Sequence, residues 1–203
     1  MDKNARGFCM GKLIFYYGTM GCAKTANVLM VRYQHIQNNR RVWLIKPAID
    51  TRDDKESPVI RSRIGLEAPV RPIQTKEDIH IVYAEECSTW PPDVIICDEA
   101  QFFTAEQITQ LKDLAVNNDI DILCYGLRTD FKTKAFEGSL RLFEIADELI
   151  SLSNVCDCGA PATVNARFTK SGKMDKGGSK IMLGGDELYK AICWKCYRRN
   201  QVE

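Results

Sequence analysis

Four continuous apolar runs punctuate the chain, at 13–17, 42–46, 94–97 and 120–125, and each is dense in Val, Ile, Leu or aromatic residues rather than alternating with polar ones. Unbroken runs of this length suit strands buried on both faces, so they predict a parallel sheet covered on each side. Between the runs, 24–38, 104–118 and 137–147 read as helices, with Thr104 as N-cap and Gln107 at the capping-box position. This alternation predicts an α/β, doubly wound fold. Two stretches break it. Residues 50–65 are charged and carry Pro58, which predicts a mobile loop, and 167–185 are rich in Gly, Lys and Ser and too long for an ordinary connection. The expected division is a loose tail over 1–11, an α/β domain over 12–150 and a smaller module over 151–203.

The first run leads into Gly18-Thr19-Met20-Gly21-Cys22-Ala23-Lys24-Thr25 and then a helical segment. Strand, tight loop and helix in that order form a phosphate-binding P-loop, in which backbone N–H groups point at an anion. Lys24 adds a mobile positive charge and Thr25 a hydroxyl for Mg²⁺. The usual pattern places Gly directly before the Lys, and here Ala23 stands there. If that position needs a left-handed backbone, Ala costs roughly 1–2 kcal/mol.

The third run ends in Asp98-Glu99-Ala100-Gln101. A carboxylate at a strand end is the expected partner of a phosphate loop, holding Mg²⁺ directly or through water. Parallel strands deliver their ends to one edge of the sheet, and the reading places these two anchors on neighbouring strands there. Glu99 then stands beside the terminal phosphate as a general base, a role worth roughly 10²–10⁴-fold in rate. The plainer reading is that Asp98 and Glu99 end a strand and cap a helix.

Composition narrows the field. A net charge of +1 argues against a protein built to grip a nucleic-acid backbone, and 45% hydrophobic residues suffice for a packed core. No run is long and apolar enough for a membrane span, and the N-terminal stretch lacks the apolar core of a secretory signal, so the expected location is the cytoplasm. Of nine cysteines, Cys97 and Cys124 lie within apolar runs and read as core thiols, whereas Cys156, Cys158, Cys193 and Cys196 cluster late in the chain. Two closely spaced pairs suit a tetrahedral Zn²⁺ site of structural type, disulfides being the alternative in an oxidising compartment. Phe15, Tyr16 and Tyr17 read as core residues, and His35 and His80 as solvated or hydrogen-bonded. Arg63 and Arg128 read either as anion contacts or as surface residues.

Phosphate loop, acidic strand end and cysteine module, in this order, resemble the thymidine kinases of the cellular, zinc-containing type. The resemblance runs through Lys46-Pro47-Ala48-Ile49-Asp50-Thr51-Arg52, Ser62-Arg63-Ile64-Gly65, Asp98-Glu99-Ala100-Gln101-Phe102 and Tyr125-Gly126-Leu127-Arg128-Thr129-Asp130-Phe131. It continues through Phe136-Glu137-Gly138-Ser139, Cys158-Gly159 and Leu183-Gly184-Gly185 with Glu187, Tyr189 and Cys193. The Cys-x-Cys spacing is similar to the bacterial and phage branch. The resemblance implies that Gly18 to Thr25 hold the ATP phosphates, that Asp98, Glu99, Ala100 and Gln101 line the same site, and that Glu99 is the base on the thymidine 5′-hydroxyl. It makes Phe131 a substrate contact, and it makes Lys180, Ile181, Met182, Leu183 and Gly184, with Tyr189, a lasso over the nucleoside that the zinc module fixes. Homotetramers and inhibition by dTTP are further implications. Read from the residues alone, a nucleic-acid-stimulated ATPase with a zinc module and a binding protein with a decayed loop stay open.

Overall fold

The computed structural model describes residues 10–48, 58–169, 171–175, 177 and 188–200. Its centre is a six-stranded sheet whose strands lie in the order 71–73, 42–47, 94–97, 121–127, 13–18 and 148–151, with every pairing parallel. In chain order the elements are β1 (Leu13–Gly18), α1 (Lys24–Gln37), β2 (Val42–Pro47), β3 (Val59–Arg61), β4 (Glu67–Pro69), β5 (Arg71–Ile73) and α2 (Ile79–Cys87). There follow β6 (Val94–Cys97), α3 (Ala105–Asn118), β7 (Asp121–Leu127), α4 (Glu137–Ile145), β8 (Glu148–Ser151), β9 (Val164–Arg167), β10 (Tyr189–Ile192) and α5 (Trp194–Asn200).

The unbroken apolar runs divide their side chains between two cores, because successive residues of a strand face opposite ways. Phe15, Ile45, Ile95, Cys97, Ile122 and Cys124 meet α2, α3 and α4 through Ile79, Ile108, Leu111 and Leu142. Leu44, Val94, Ile96, Leu123 and Tyr125 meet α1 through Val28 and Leu29 on the other face. Helices thus cover both faces, as the alternation predicts. Cys97 and Cys124 are core thiols, Phe15 is fully buried, and Tyr16 and Tyr17 are half-buried. Helix α3 starts with the reciprocal capping box of Thr104 and Gln107.

Three expectations need correction. The 50–65 segment is not all loop: Val59–Arg61 pairs antiparallel with Glu67–Pro69, and Ile60 and Ala68 are buried against the α1-side core. Arg167 does not open a long connection; it ends β9, which pairs with β10, and its side chain is 1% exposed. Strands β1 and β6 are not neighbours, since β7 lies between them and pairs with each.

A third small core surrounds the late cysteines, where Val164, Ala166, Ile192 and Tyr197 pack with Cys156 and Cys193. Among the described residues no helix is long and apolar enough to cross a membrane.

Candidate functional site

The phosphate loop hangs from the C-terminal end of β1 and enters α1 at Lys24. Gly18 is required at its start: a Cβ there would lie 2.5 Å from Cys22 Sγ and 3.0 Å from the Leu152 carbonyl oxygen. Lys24 is buried, and its ammonium folds back to donate to the Thr19 carbonyl at 2.8 Å, with Cys22 Sγ at 3.7 Å. Ala23, the N-cap of α1, has φ 61° and ψ 29°, the left-handed region that its Cβ disfavours. Its side chain is exposed, so the cost is local to the backbone.

Across β7, the carboxylate at the end of β6 meets this loop. Thr25 Oγ1 donates to Asp98 Oδ2 at 3.0 Å, and the Glu99 N–H donates to Asp98 Oδ1 at 3.0 Å. Asp98 is 2% exposed. Burial pushes its carboxyl up to about 7 and the Glu99 charge adds to this, while Thr25, the Glu99 N–H and Lys24 pull the other way. A buried carboxylate beside a threonine hydroxyl and a lysine fits a Mg²⁺-bound phosphate group, whose metal stabilises the ionised form that burial disfavours.

Glu99 leaves the strand in a left-handed conformation, φ 50° and ψ 37°, ahead of a 3₁₀ turn at Ala100–Phe102. Its carboxylate accepts from Gln101 Nε2 at 2.5 Å, and Gln101 Oε1 accepts from the Leu127 N–H at 2.9 Å. Gln101 is 2% exposed, so both ends of its amide are committed to orienting Glu99 and closing the end of β7. Gly126 leaves room for it, because a Cβ there would sit 2.8 Å from Gln101 Oε1.

Phe131 follows β7 and is buried, with the guanidinium carbon of Arg167 3.8 Å from its ring centroid. Arg167 in turn pairs with Asp175 at 2.8 Å, donates to Tyr189 Oη at 3.4 Å and reaches the Gly177 carbonyl. Phe131 and Tyr189, both expected at the substrate, are therefore joined through Arg167, which sequence reasoning did not single out. Lys180, Ile181, Met182, Leu183 and Gly184 lie outside the described residues. Arg128 reaches the Thr163 carbonyl at 3.0 Å, Arg63 is exposed after β3, and His80 lies 3.8 Å from Asp113.

The cysteine sulfurs of Cys156, Cys158, Cys193 and Cys196 all lie within 4.8 Å of one another. Cys156 opens a tight turn that the Gly159 N–H closes and Cys158 lies within it, while Cys193 and Cys196 bracket the start of α5. Backbone N–H groups of Cys158 and Cys193 hold the Cys156 thiol down at about 7, whereas the surrounding sulfurs push Cys196 up to about 12. Four convergent cysteines, with no further ligand among the described residues, fit a structural tetrahedral Zn²⁺ that leaves no open position for catalysis.

Sequence reasoning also missed two asparagines. Asn154 Nδ2 donates to the Met20 carbonyl at 2.9 Å and to Thr19 Oγ1 at 3.1 Å. Asn165 Oδ1 accepts from the Met20 N–H at 2.7 Å, and its Nδ2 donates to the Thr129 carbonyl at 3.1 Å. They carry no periodic or motif signal, since their role depends on where the cysteine module sits against the sheet.

A family model for thymidine kinase matches residues 11–197. The thymidine kinase of Zymomonas mobilis is 38% identical over 194 residues, covering 96% of this chain and 97% of the relative. That of Enterobacteria phage T4 is 39% identical over 186 residues, 92% of this chain and 95% of the relative. A thymidine kinase of Legionella pneumophila is 36% identical over 195 residues, 96% and 92% of the two chains.

Proposed function

The chain belongs to the thymidine kinase family, and from that premise we propose that it transfers the γ-phosphoryl group of ATP to the 5′-hydroxyl of thymidine, giving dTMP. The observation that carries this reading is the 3.0 Å hydrogen bond from Thr25 to Asp98, which ties the phosphate loop to the acidic end of β6 with Glu99 next in line. The loop N–H groups and Lys24 hold the phosphates. Thr25 and Asp98 would hold Mg²⁺, which would supply charge neutralisation to the phosphates. Glu99 accepts the proton of the 5′-hydroxyl as that oxygen attacks, and Gln101 steadies the carboxylate by donating to one of its oxygens. Phe131 and Tyr189, held by Arg167, form the nucleoside side of the site, and deoxyuridine is a second acceptor. Zn²⁺ in the four-cysteine site is structural. The family resemblance supports a cytoplasmic homotetramer.

The test pairs a thymidine phosphorylation assay with ATP hydrolysis measured with and without single-stranded DNA. Transfer to thymidine with no DNA-stimulated hydrolysis is expected. DNA-stimulated hydrolysis without phosphorylated nucleoside would replace the kinase reading with an ATPase. Glu99→Gln should bind ATP normally and lose roughly 10²–10⁴-fold in turnover, and near-normal turnover would remove Glu99 from the role of base.

A further inference from the structure

We infer that Asn154 and Asn165 are positioning residues through which the cysteine module sets the affinity of the phosphate loop for ATP. The inference rests on the reading that the loop binds ATP. Met20 is the central residue of the loop's first turn, and both of its backbone polar groups are held from outside the loop: the N–H by Asn165 and the carbonyl by Asn154. Both asparagines are fastened to the module. Asn154 lies two residues before Cys156, and its carbonyl accepts from the Ala162 N–H at 2.9 Å. Asn165 sits in β9, opposite Ala191 of β10, and β10 runs directly into Cys193. The Asn165 side chain is also 3% exposed and ties the end of β7 through Thr129.

Three hydrogen bonds on Thr19 and Met20 thus depend on the module's fold, which the four cysteines close. A P-loop works by presenting N–H groups already aimed at phosphate oxygens, so freedom at Met20 reduces affinity before it touches chemistry. Both asparagines act through Thr19, Met20 and Thr129 and not on the reacting atoms. Their effect falls on nucleotide binding, and turnover at saturating ATP is largely retained.

The experiment measures Mg²⁺-ATP binding, thymidine phosphorylation, zinc content and unfolding midpoint for the wild type, Asn154→Ala, Asn165→Ala and the double variant. Asn165→Ala, which removes one loop hydrogen bond, should raise the ATP Kd and KM by roughly 2- to 13-fold, and Asn154→Ala, which removes two, by at least as much, with kcat moving less than KM and zinc content unchanged. Withdrawing the metal from the wild type should weaken ATP binding similarly and add little in the double variant. Folded, zinc-loaded variants that bind ATP as the wild type does would overturn the inference. A wild type that fails to bind ATP would instead refute the underlying site assignment. If Asn165→Ala does not fold, the half-buried Asn154→Ala decides alone.

Discussion

Replacing Ala23 with Gly isolates the cost of one methyl group in the phosphate loop. The left-handed backbone at φ 61° is imposed by the protein itself. The Ala23 carbonyl starts α1 by accepting from the Asn27 N–H at 2.9 Å, while Lys24, Asn154 and Asn165 pin the loop upstream of it. A residue with a Cβ there costs roughly 1–2 kcal/mol. Glycine removes that cost but brings an unfolded-state entropy penalty of about 0.5–1 kcal/mol. Since the Ala23 side chain is exposed, its removal leaves no cavity. The net gain is therefore about 0–1.5 kcal/mol, which for a chain of this size raises the melting temperature by up to roughly 6 °C. Because the fold fixes the conformation, the strain belongs to folding and not to binding, and the ATP KM should change less than about twofold, well under the tenfold that 1.4 kcal/mol would give. Thermal unfolding and a KM titration on the same preparations decide the matter. A lower melting temperature would refute the strain argument, and a tenfold fall in KM would show that the native loop relaxes until phosphate arrives.

Other outcomes follow from single contacts. Gly138→Ala places a Cβ 2.6 Å from the Ala100 carbonyl and 2.7 Å from the Phe103 carbonyl, so it should cost about 1–3 kcal/mol in urea unfolding and displace the turn that carries Gln101. Freshly reduced protein should hold one zinc per chain, and a chelator should lower its unfolding midpoint; metal analysis finding none would remove the site. The Arg41 side-chain hydrogen bond, followed by the Arg41 N–H, holds the Asp93 carboxyl below its usual 3.8. That pairing stabilises the fold above the unfolded-state pKa of 3.8 and is lost as pH falls through the lower folded value, so Asp93→Asn should flatten the stability profile in that acid window.

The core strands were legible because burial on both faces leaves little choice of residue: the runs at 13–17, 42–46 and 94–97 differ from β1, β2 and β6 by at most one residue. The edges were not. Strand β5 contains Pro72, tolerable because among the described residues its outer side bonds to no further strand, and β8 alternates half-buried and exposed residues. Helix α2 begins Ile-His-Ile-Val-Tyr, a strand-like sequence, and is helical because Asp78 accepts from the His80 and Ile81 N–H groups and Gln110 accepts from Ile79. The phosphate loop and each cysteine pair are local in sequence and could be read directly. Gln101 as an orienting group, Arg167 against Phe131, and the two asparagines on Met20 depend on long-range packing, which no spacing encodes.

The placement of β1 has a further consequence for how the chain matures. Of the strands in the central sheet it is the first made, yet it lies between β7 and β8, the last two. The Lys12 N–H bonds to Asp121, 109 residues onward. At ribosomal rates of 5–20 residues per second, that separation is a wait of roughly 5–22 s. Throughout it, Leu-Ile-Phe-Tyr-Tyr has neither neighbour in place, and the phosphate loop has no strand register to anchor it. Truncation before β8 would leave β1 as a permanent open edge, so C-terminal deletions should accumulate as aggregates rather than as weakened enzyme.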